Sequence, residues 1–492
     1  MPGLPRSRAA RKFSLFRCSP GRPRAAAFGR PILLPFLLLT LGLAGAVQAQ
    51  TLSALLERAR AGEPTYLGAR TNMLAAQARS AQALGAMLPQ LSATASANNN
   101  DRKYKTRNSS VPEARDHQYE SYSTQLSLTQ PLLRYANVVA WRQAQAVIGQ
   151  AEQQLAGAEQ DLFAKLVAAW FERLSARDAV AFTARQAAAL ERQWEIVSRG
   201  SELGFYGQPQ VDEARTKLDQ AISEAIVAET EVHLKRAALE QLVGVLPERE
   251  LPFMQGTAVL AAPSGAGLEK WLEDVDTNNP NILAALQAFE AAAAEVSKQH
   301  AGHLPTLDLV ASYGKNGQAV GGFPGQAGYD IVQGTLGLQL NVPLFSGGAQ
   351  SARVDEALAQ KEKARLDLEV ARRTAILNAK QAWFGWHGAL ARTRAGTQAV
   401  KSARSALAQA TAGVENGLKT ELDVLQAEQQ LRAGQRDFRK GRYDQVVAFV
   451  RLLALSGRLT EGDVAALDRL LVASPEAAEP PPEAVTIKVS GR

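Results

Sequence analysis

The 492-residue sequence predicts a mixed α/β chain that consists mostly of long antiparallel α-helices, with four β-strands and a twofold internal repeat. Three observations predict this fold class. Sequence landmarks recur at nearly constant spacing, two proline-free stretches are long enough for helices of roughly 100 Å, and short segments alternate between polar and apolar residues. Because both copies of the repeat contain helices and strands, we expect them to form one structural unit.

The internal repeat is visible in two landmarks, a Leu-Pro-X-Leu run and a Trp-Phe pair. The run occurs at 88–91 and again at 304–307, and the pair occurs at 170–171 and again at 383–384, with almost the same offset. Offsets this regular are hard to obtain by chance. We therefore predict two copies, 51–262 and 266–474, followed by a flexible Pro- and Glu-rich C-terminal tail at 475–492.

Residues 1–49 are predicted to be a secretory signal peptide. They carry eight basic residues and no acidic residue, followed by an apolar run from Ile32 to Ala46 and small residues at Val47 and Ala49. Removing this leader leaves a net charge near zero, so the formal charge of +7 does not indicate a nucleic-acid partner. The single cysteine, Cys18, lies in the leader, which excludes disulfides and cysteine chemistry from the mature chain.

The two long helices are predicted at about 137–200 and 348–413, where the sequence is rich in alanine and glutamine. At ~1.5 Å per residue each would be roughly 100 Å long, which indicates a coiled coil or a tube rather than a globular domain. Shorter helices are predicted at 52–86 and 206–244, stacked beside the first long helix. Heptad spacing preserved in both copies supports helix-on-helix packing, at positions 211, 218, 225, 232 and 239 of the first copy.

The strands are predicted from alternation with a period of two. It is clear around Leu126–Leu128 and Leu336–Val342 and weaker at 91–97 and 307–313. A soluble sandwich and a tilted membrane-barrel wall fit this pattern equally well. After the predicted signal peptide, no apolar run is long enough for a transmembrane helix. If the mature chain crosses a membrane, its strands must therefore do so.

Four strands cannot close a barrel, so several subunits would have to share one. Loops 98–118 and 314–330, which connect the strands of each hairpin, are then expected to face the outside of the cell. Aromatic residues near the strand ends suggest an interfacial girdle. These residues are Tyr119, Tyr122, Tyr135, Tyr313, Tyr329 and Phe345.

The assembled features resemble the TolC family of outer-membrane factors over essentially the whole mature chain. Segments 130–133 and 342–348 are similar to that family's strand-to-helix junctions, and segments 204–214 and 417–427 to its helix tips. The resemblance implies a homotrimer with a 12-stranded β-barrel in the outer membrane of a Gram-negative bacterium and an α-helical barrel that extends into the periplasm.

The same resemblance implies a function and partners. The trimer would be the exit duct of a tripartite export system, together with a periplasmic adaptor (membrane fusion) protein and an inner-membrane ABC or proton-driven transporter. The segment 459–464 is similar to the type I secretion branch, which exports proteins, while drug efflux stays open as an alternative.

The resemblance also implies a periplasmic gate at the helix tips. Asp423 matches an acid that faces the pore and forms a cation-binding ring, and Lys419 matches a basic residue that holds the tip closed. A second pore acid is replaced by Gln426, and the acid that would pair with Lys419 is replaced by Gln210, for which Asp212 could substitute. The alternative is that Asp423 and Lys419 are ordinary solvated charges.

Adaptor docking at the helix tips is expected at Gly204, Gly417 and Leu418, which belong to the two similar tip segments.

No enzyme motif, metal site or cofactor site is predicted. His300 and His303 have a spacing seen in metal sites, but no carboxylate or thiol cluster accompanies them. The run 417–420 lacks the Walker pattern of a phosphate loop. The alternative from another class is a soluble periplasmic coiled-coil adaptor or scaffold, which would be recovered as a soluble monomer; a third is a freely conducting porin.

Overall fold

The computed structural model describes residues 51–102, 117–246, 251–254, 259–260, 267–320, 327–472 and 486–487. The predicted signal peptide lies outside the described residues, as do the middles of both predicted hairpin loops and all but two residues of the predicted tail.

The first copy of the repeat contains two short helices, a hairpin, a very long helix and a shorter helix. These elements are α1 (Leu52–Gly62), α2 (Pro64–Gly85), β1 (Gln90–Arg102), β2 (His117–Leu133), α3 (Tyr135–Glu202) and α4 (Gln208–Val243). Two-residue strands follow as β3 (Phe253–Met254) and β4 (Val259–Leu260).

The second copy repeats the order of the first, which confirms the predicted twofold repeat. Its elements are α5 (Leu268–Asn278), α6 (Pro280–His300), a 3₁₀ turn (Ala301–His303), β5 (Thr306–Val320), β6 (Ala327–Asn341), α7 (Ala349–Glu415) and α8 (Glu421–Leu455). The chain continues with α9 (Glu461–Asp468), β7 (Leu471–Val472) and β8 (Thr486–Ile487). None of the described helices has an apolar stretch long enough to cross a membrane.

Each copy begins with two helices separated at a residue that caps the second one. Glu63 accepts a hydrogen bond from the Tyr66 N–H at 2.6 Å, and Asn279 accepts from Asn281 and Ile282 at 3.0 and 3.2 Å. Proline follows each cap, where its missing N–H is not needed. The helix predicted over 52–86 is therefore two helices.

The four long strands form one antiparallel sheet in the order β1-β2-β5-β6. In the rows nearest the helices, its register gathers most apolar residues on one face and most polar residues on the other. One row across the sheet is Leu91, Leu128, Ala311 and Leu336, and the adjacent row on the opposite face is Ser92, Ser127, Ser312 and Thr335. This part of the sheet is thus amphipathic across all four strands, whereas farther from the helices Lys315 and Asp330 lie on the same side as the apolar row.

The strands are longer than predicted, so the hairpin loops predicted at 98–118 and 314–330 are too long. β1 continues through the polar residues Asn98 to Arg102, which pair with β2 residue by residue. The Asn100 side chain donates to Ser121 Oγ at 2.9 Å. Backbone pairing does not require apolar side chains, so the loss of alternation did not end the strands.

The predicted aromatic girdle is wrong in part. Tyr122 and Tyr313 lie on the apolar face, because they share the register of Leu126, but Tyr313 is in the middle of β5 rather than at its end. Tyr119 and Tyr329 lie on the opposite face, an odd number of residues away from Leu126 in β2 and from Leu336 in β6. A period of two moves a residue to the opposite face with each single step.

The largest buried cluster lies where the short helices pack on the long ones. Trp170, Phe171 and Trp386 are almost fully buried among residues of α1, α5, α8 and α9. The Asp468 carboxylate at the end of α9 accepts hydrogen bonds from the N–H groups of Leu52 and Ser53 at 2.6 and 3.0 Å. The end of the second copy is thereby tied to the start of the first.

Candidate functional site

A tight turn follows the C-terminal end of each long helix, at the end that lies farthest from the sheet. α3 and α7 each follow a strand, so their C-terminal ends at Glu202 and Glu415 point away from the sheet. Residues 203–207 connect α3 to α4, and residues 416–420 connect α7 to α8. We call these segments the first and second tip turns.

Both tip turns end the long helix with the same hydrogen bonds. In the first turn the N–H groups of Gly204 and Phe205 donate to the carbonyl oxygens of Ser201 and Gly200 at 3.0 and 2.8 Å. The equivalent bonds around Gly417 measure 3.0 and 2.7 Å. The two glycines have φ values of +81° and +68°, a conformation that a Cβ atom disfavours. The predicted tip glycines therefore set the backbone of each turn.

Asp423 begins α8 as part of a capping box. Its Oδ2 accepts hydrogen bonds from the Thr420 N–H and hydroxyl, both at 2.8 Å, and its own N–H donates to Thr420 Oγ1 at 3.3 Å. These bonds lower the pKa of Asp423 below its ordinary value, and the positive charge of Lys419 acts in the same direction. The carboxylate is therefore ionised at neutral pH.

Gln210 occupies the equivalent position in the first copy. Its Oε1 accepts the Gly207 N–H at 2.5 Å, so it caps α4 as Asp423 caps α8. The sequence analysis did not predict either cap. For Asp423 a signal was present, because the Thr-x-x-Asp spacing at 420–423 is typical of a capping box. The two helix caps share one hydrogen-bond arrangement, and only the cap residue of α8 carries a negative charge.

The other predicted gate residues are not joined within one chain. Asp212 accepts a hydrogen bond from Gln208 Nε2, on its own helix, at 2.9 Å. In the part of the chain that the structure describes, Lys419 forms no hydrogen bond or ion pair with Gln210 or Asp212. Gln426 lies about one turn along α8 and lines a groove between α3 and α8.

Large apolar side chains are exposed on both tip turns. Leu418, a predicted docking residue, is 82% exposed. In the first turn Leu203 and Phe205 are 73% and 77% exposed, and sequence reasoning did not single them out. Exposed apolar groups at the end of a long helical element are typical of a contact surface for another protein.

The two histidines with metal-site spacing lie far from the tips. His300 ends α6 and His303 lies in the following 3₁₀ turn. Among the described residues, no three His, Cys, Asp or Glu side chains converge as a group that could hold a metal ion.

The sequence matches one protein family along most of its length. Residues 55–245 and 271–458 match the outer membrane efflux protein family. The chain belongs to this family. Each matched segment runs from the first short helix of a copy to the end of its last long helix or just beyond. The protein is therefore an outer-membrane channel that extends into the periplasm, and of the classes predicted from sequence it is the channel rather than the soluble adaptor.

Individual relatives agree with this assignment. The outer membrane protein TolC of Vibrio cholerae is 28% identical over 434 residues, which cover 88% of this chain and 97% of TolC. The proteases secretion protein PrtF of Dickeya chrysanthemi is 28% identical over 380 residues, covering 77% and 82%. The crystal structure of VceC from Vibrio cholerae has the same fold, with a TM-score of 0.67 at 22% identity over 82% of this chain and 96% of VceC.

The two caps predict different responses to pH. Asp423 has a lowered pKa in the folded tip, so its stabilisation is present above its ordinary pKa of 3.8 and is lost as the pH falls through the lower folded value. Replacing Asp423 with alanine should speed amide exchange at the start of α8 equally from pH 8 to pH 5, and this effect should shrink below pH 3.8.

Gln210→Ala is the matched control, because glutamine at the same cap position does not titrate. Its effect on amide exchange at the start of α4 should stay constant over the whole range, as measured by mass spectrometry against wild type at each pH. A pH-independent effect of Asp423→Ala down to pH 2 would contradict the capping assignment.

Proposed function

We propose that this chain is one protomer of a homotrimeric exit duct that passes protein substrates across the periplasm and the outer membrane. The duct would receive them from an inner-membrane transporter through a periplasmic adaptor. In this proposal the copies 51–262 and 266–474 are two halves of one wall. The observation that carries it is the sheet, which has one apolar face in the rows nearest the helices and two edges unpaired within the described chain.

The sheet edges argue for several chains. β1 and β6 lie at the ends of the strand order and have no second neighbour within the described chain. In lipid, unsatisfied backbone groups cost several kcal/mol each, so such edges must pair. Pairing β6 of one chain with β1 of the next closes a barrel, and three chains of four strands supply the twelve strands expected from the family.

The helices lead to the same arrangement. α3 packs against α6 and α8 of the other copy, but the described chain offers α7 no comparable packing against α2 or α4. The consequence is seen in a repeat-related pair: Phe171 is fully buried beside Tyr443, whereas Phe384 is 62% exposed. A neighbouring chain would supply the missing contacts of α7.

Protein cargo is favoured by the relatives. Two of them are named for protease secretion, PrtF of Dickeya chrysanthemi and the alkaline protease secretion protein AprF of Pseudomonas aeruginosa, the latter 28% identical over 350 residues. One more distant relative is named as part of a solvent efflux pump. The segment 459–464, similar to the type I secretion branch, contains the capping box of Thr460 and Asp463 that begins α9.

Deletion of the gene from the producing bacterium tests the cargo. We expect specific proteins to disappear from the culture medium, with small changes in drug susceptibility, and the plasmid-borne gene to restore them. The measurement is a comparison of the extracellular proteins alongside minimum inhibitory concentrations. Loss of drug resistance with an unchanged set of extracellular proteins would contradict protein export.

The gate is proposed at the second tip turn. Three copies of Asp423 around the axis would form a ring of carboxylates, whose mutual repulsion multivalent cations relieve. Lys419 would hold the ring closed by contacting a neighbouring chain, with Asp212 as an acidic partner near Gln210. Gln426 contributes no charge. The adaptor would dock on the tip turns through Gly204, Gly417 and Leu418, extended by Leu203 and Phe205.

Changing the charge at each of the two cap positions tests the gate. Asp423→Asn keeps a hydrogen-bond acceptor for the cap but removes the charge, so it should weaken block by divalent cations about tenfold or more. Gln210→Glu adds an equivalent charge to the first turn and should strengthen block. The measurement is single-channel conductance in planar bilayers. Asp219→Asn, an exposed acid farther along α4, is the control; unchanged block in Asp423→Asn would refute the ring.

A further inference from the structure

Two histidines, His233 on α4 and His387 on α7, are exposed in the single chain and lie outside the tip turns. Neither side chain forms a hydrogen bond or an ion pair with a described residue. The internal repeat indicates what each histidine faces in the proposed trimer, because the equivalent residues of the other copy meet within one chain.

The contact between the two copies is formed by α3 and α8, which run in opposite directions. The Tyr443 ring lies 5.9 Å from the Phe171 ring, and the Tyr443 hydroxyl donates to the Asp178 carboxylate at 2.8 Å. Leu174 lies between Phe171 and Asp178 on the same face of α3, since the three are spaced i, i+3 and i+7. Val446 follows Tyr443 by about one turn of α8. Leu174 and Val446 are both fully buried, so they lie at this contact.

The repeat transfers these two positions to α7 and α4. When α3 and α7 are aligned by their Trp-Phe pairs, Leu174 corresponds to His387. When α8 and α4 are aligned by the tip glycines that precede them, Val446 corresponds to His233. Residues that are buried where the copies meet are thus replaced by two exposed histidines where the chain ends.

Exposed apolar residues surround both histidines. Phe384 precedes His387 by about one turn of α7, and on α4 Leu234 is next to His233 while Ile226 lies about two turns before it. These apolar surfaces would be buried if α7 of one chain packed on α4 of the next, as α3 packs on α8 within a chain. This step rests on the trimer of the proposed function. His387 of one chain then faces His233 of the neighbouring chain.

The His387 ring is already held by aromatic neighbours. Its centre lies 5.0 Å from the Trp383 ring and 4.8 Å from the Trp386 ring, the latter in an edge-on arrangement. Packed helices are about 8–10 Å apart, so side chains from both can reach one point between them. An apolar shell on one side also limits the access of water, which favours ligand binding by an imidazole.

Glu229 supplies a third group on the same face of α4. It precedes His233 by four residues, so the two side chains are neighbours on the helix surface. Glu229 is exposed and forms no hydrogen bond or ion pair with a described residue. Two imidazoles and one carboxylate are a ligand set that zinc binds, with water as the fourth ligand.

We propose that each junction between neighbouring chains binds a zinc ion through His387 of one chain and Glu229 and His233 of the next. The ligands come from two chains, which is consistent with the absence of a metal-binding group among the described residues of one chain. Where the copies meet within a chain, the equivalent residues are Leu174, Arg442 and Val446, none of which suits a metal. The fold therefore does not require these ligands. The trimer would hold three ions, each linking two chains.

Zinc binding by the purified mature trimer, prepared without a histidine tag, tests the site. We expect three zinc ions per trimer to remain after gel filtration, as measured by elemental mass spectrometry. A chelator should remove them. Acidification should do the same, because the ligands must be deprotonated to bind the metal. A trimer that retains no zinc would overturn the proposal.

Single substitutions locate the ligands. His233→Gln, His387→Gln and Glu229→Gln should each lower zinc affinity about tenfold or more, since even residues that only support a ligand have effects of this size. The control is the double variant His300→Gln, His303→Gln, which removes two histidines outside the junction and should bind as wild type. Unchanged binding in any of the three site variants, or equal weakening in the control, would overturn the site.

Mixed trimers test whether two chains share the site. Chains with His387→Gln and chains with His233→Gln carry different affinity tags, are produced together, and trimers that contain both are purified. Every such trimer keeps one junction at which His387 of one chain meets His233 of the next, so it should bind one zinc ion. Trimers of either variant alone should bind none at the same zinc concentration. Absence of zinc from the mixed trimers would overturn the shared site.

The oligomeric state of each sample is measured by light scattering before zinc is added. A protein that is not a trimer would contradict the proposed duct. A trimer that binds no zinc would contradict only the metal site, so the two proposals fail separately.

Discussion

The two sheet edges determine what this chain can be. β1 and β6 each leave one row of backbone groups without a partner in the described chain, on a sheet whose apolar face suits lipid. Lipid offers those groups no hydrogen bonds, so each edge needs a strand from another copy. In the proposed trimer the chain would form part of a wall, and the internal repeat would make the junction between chains equivalent to the junction between copies, where β2 meets β5.

The same logic explains why repeat-related residues have different surroundings. Phe171 is buried against the second copy, while Phe384 is exposed in the single chain and would contact a neighbouring chain in the proposed trimer. At the tips, Gln210 and Asp423 cap their helices in the same way, yet only one carries charge. The two copies share one backbone, and the proposed gate lies at a position where their charges differ.

Periodicity and spacing were sufficient to predict the repeat and the long helices, since the predicted bounds 137–200 and 348–413 nearly coincide with those of α3 and α7. Periodicity and spacing did not predict where strands end, on which face a strand residue lies, or which distant residues meet, because strand register and tertiary contacts determine these features. The polar run Asn98–Asn100 hid the continuation of β1, and the opposite faces of Tyr119 and Tyr122 depend on strand pairing. Arg177 of the first copy and Arg439 of the second meet at the carboxylate of Asp178 although they are far apart in the sequence, which no local pattern reveals.

Cysteine cross-linking between neighbouring chains tests the shared wall most directly. Ser127 faces Ser312 between β2 and β5, and the repeat-equivalent pair between chains is Gln339 with Ser96. Since Cys18 is the only native cysteine, Gln339→Cys with Ser96→Cys should oxidise to covalent trimers on a denaturing gel, within the spacing a disulfide needs. Gln339→Cys with Ser92→Cys, about 13 Å out of register, should not. Monomers from the first pair, or equal cross-linking by both, would contradict the account.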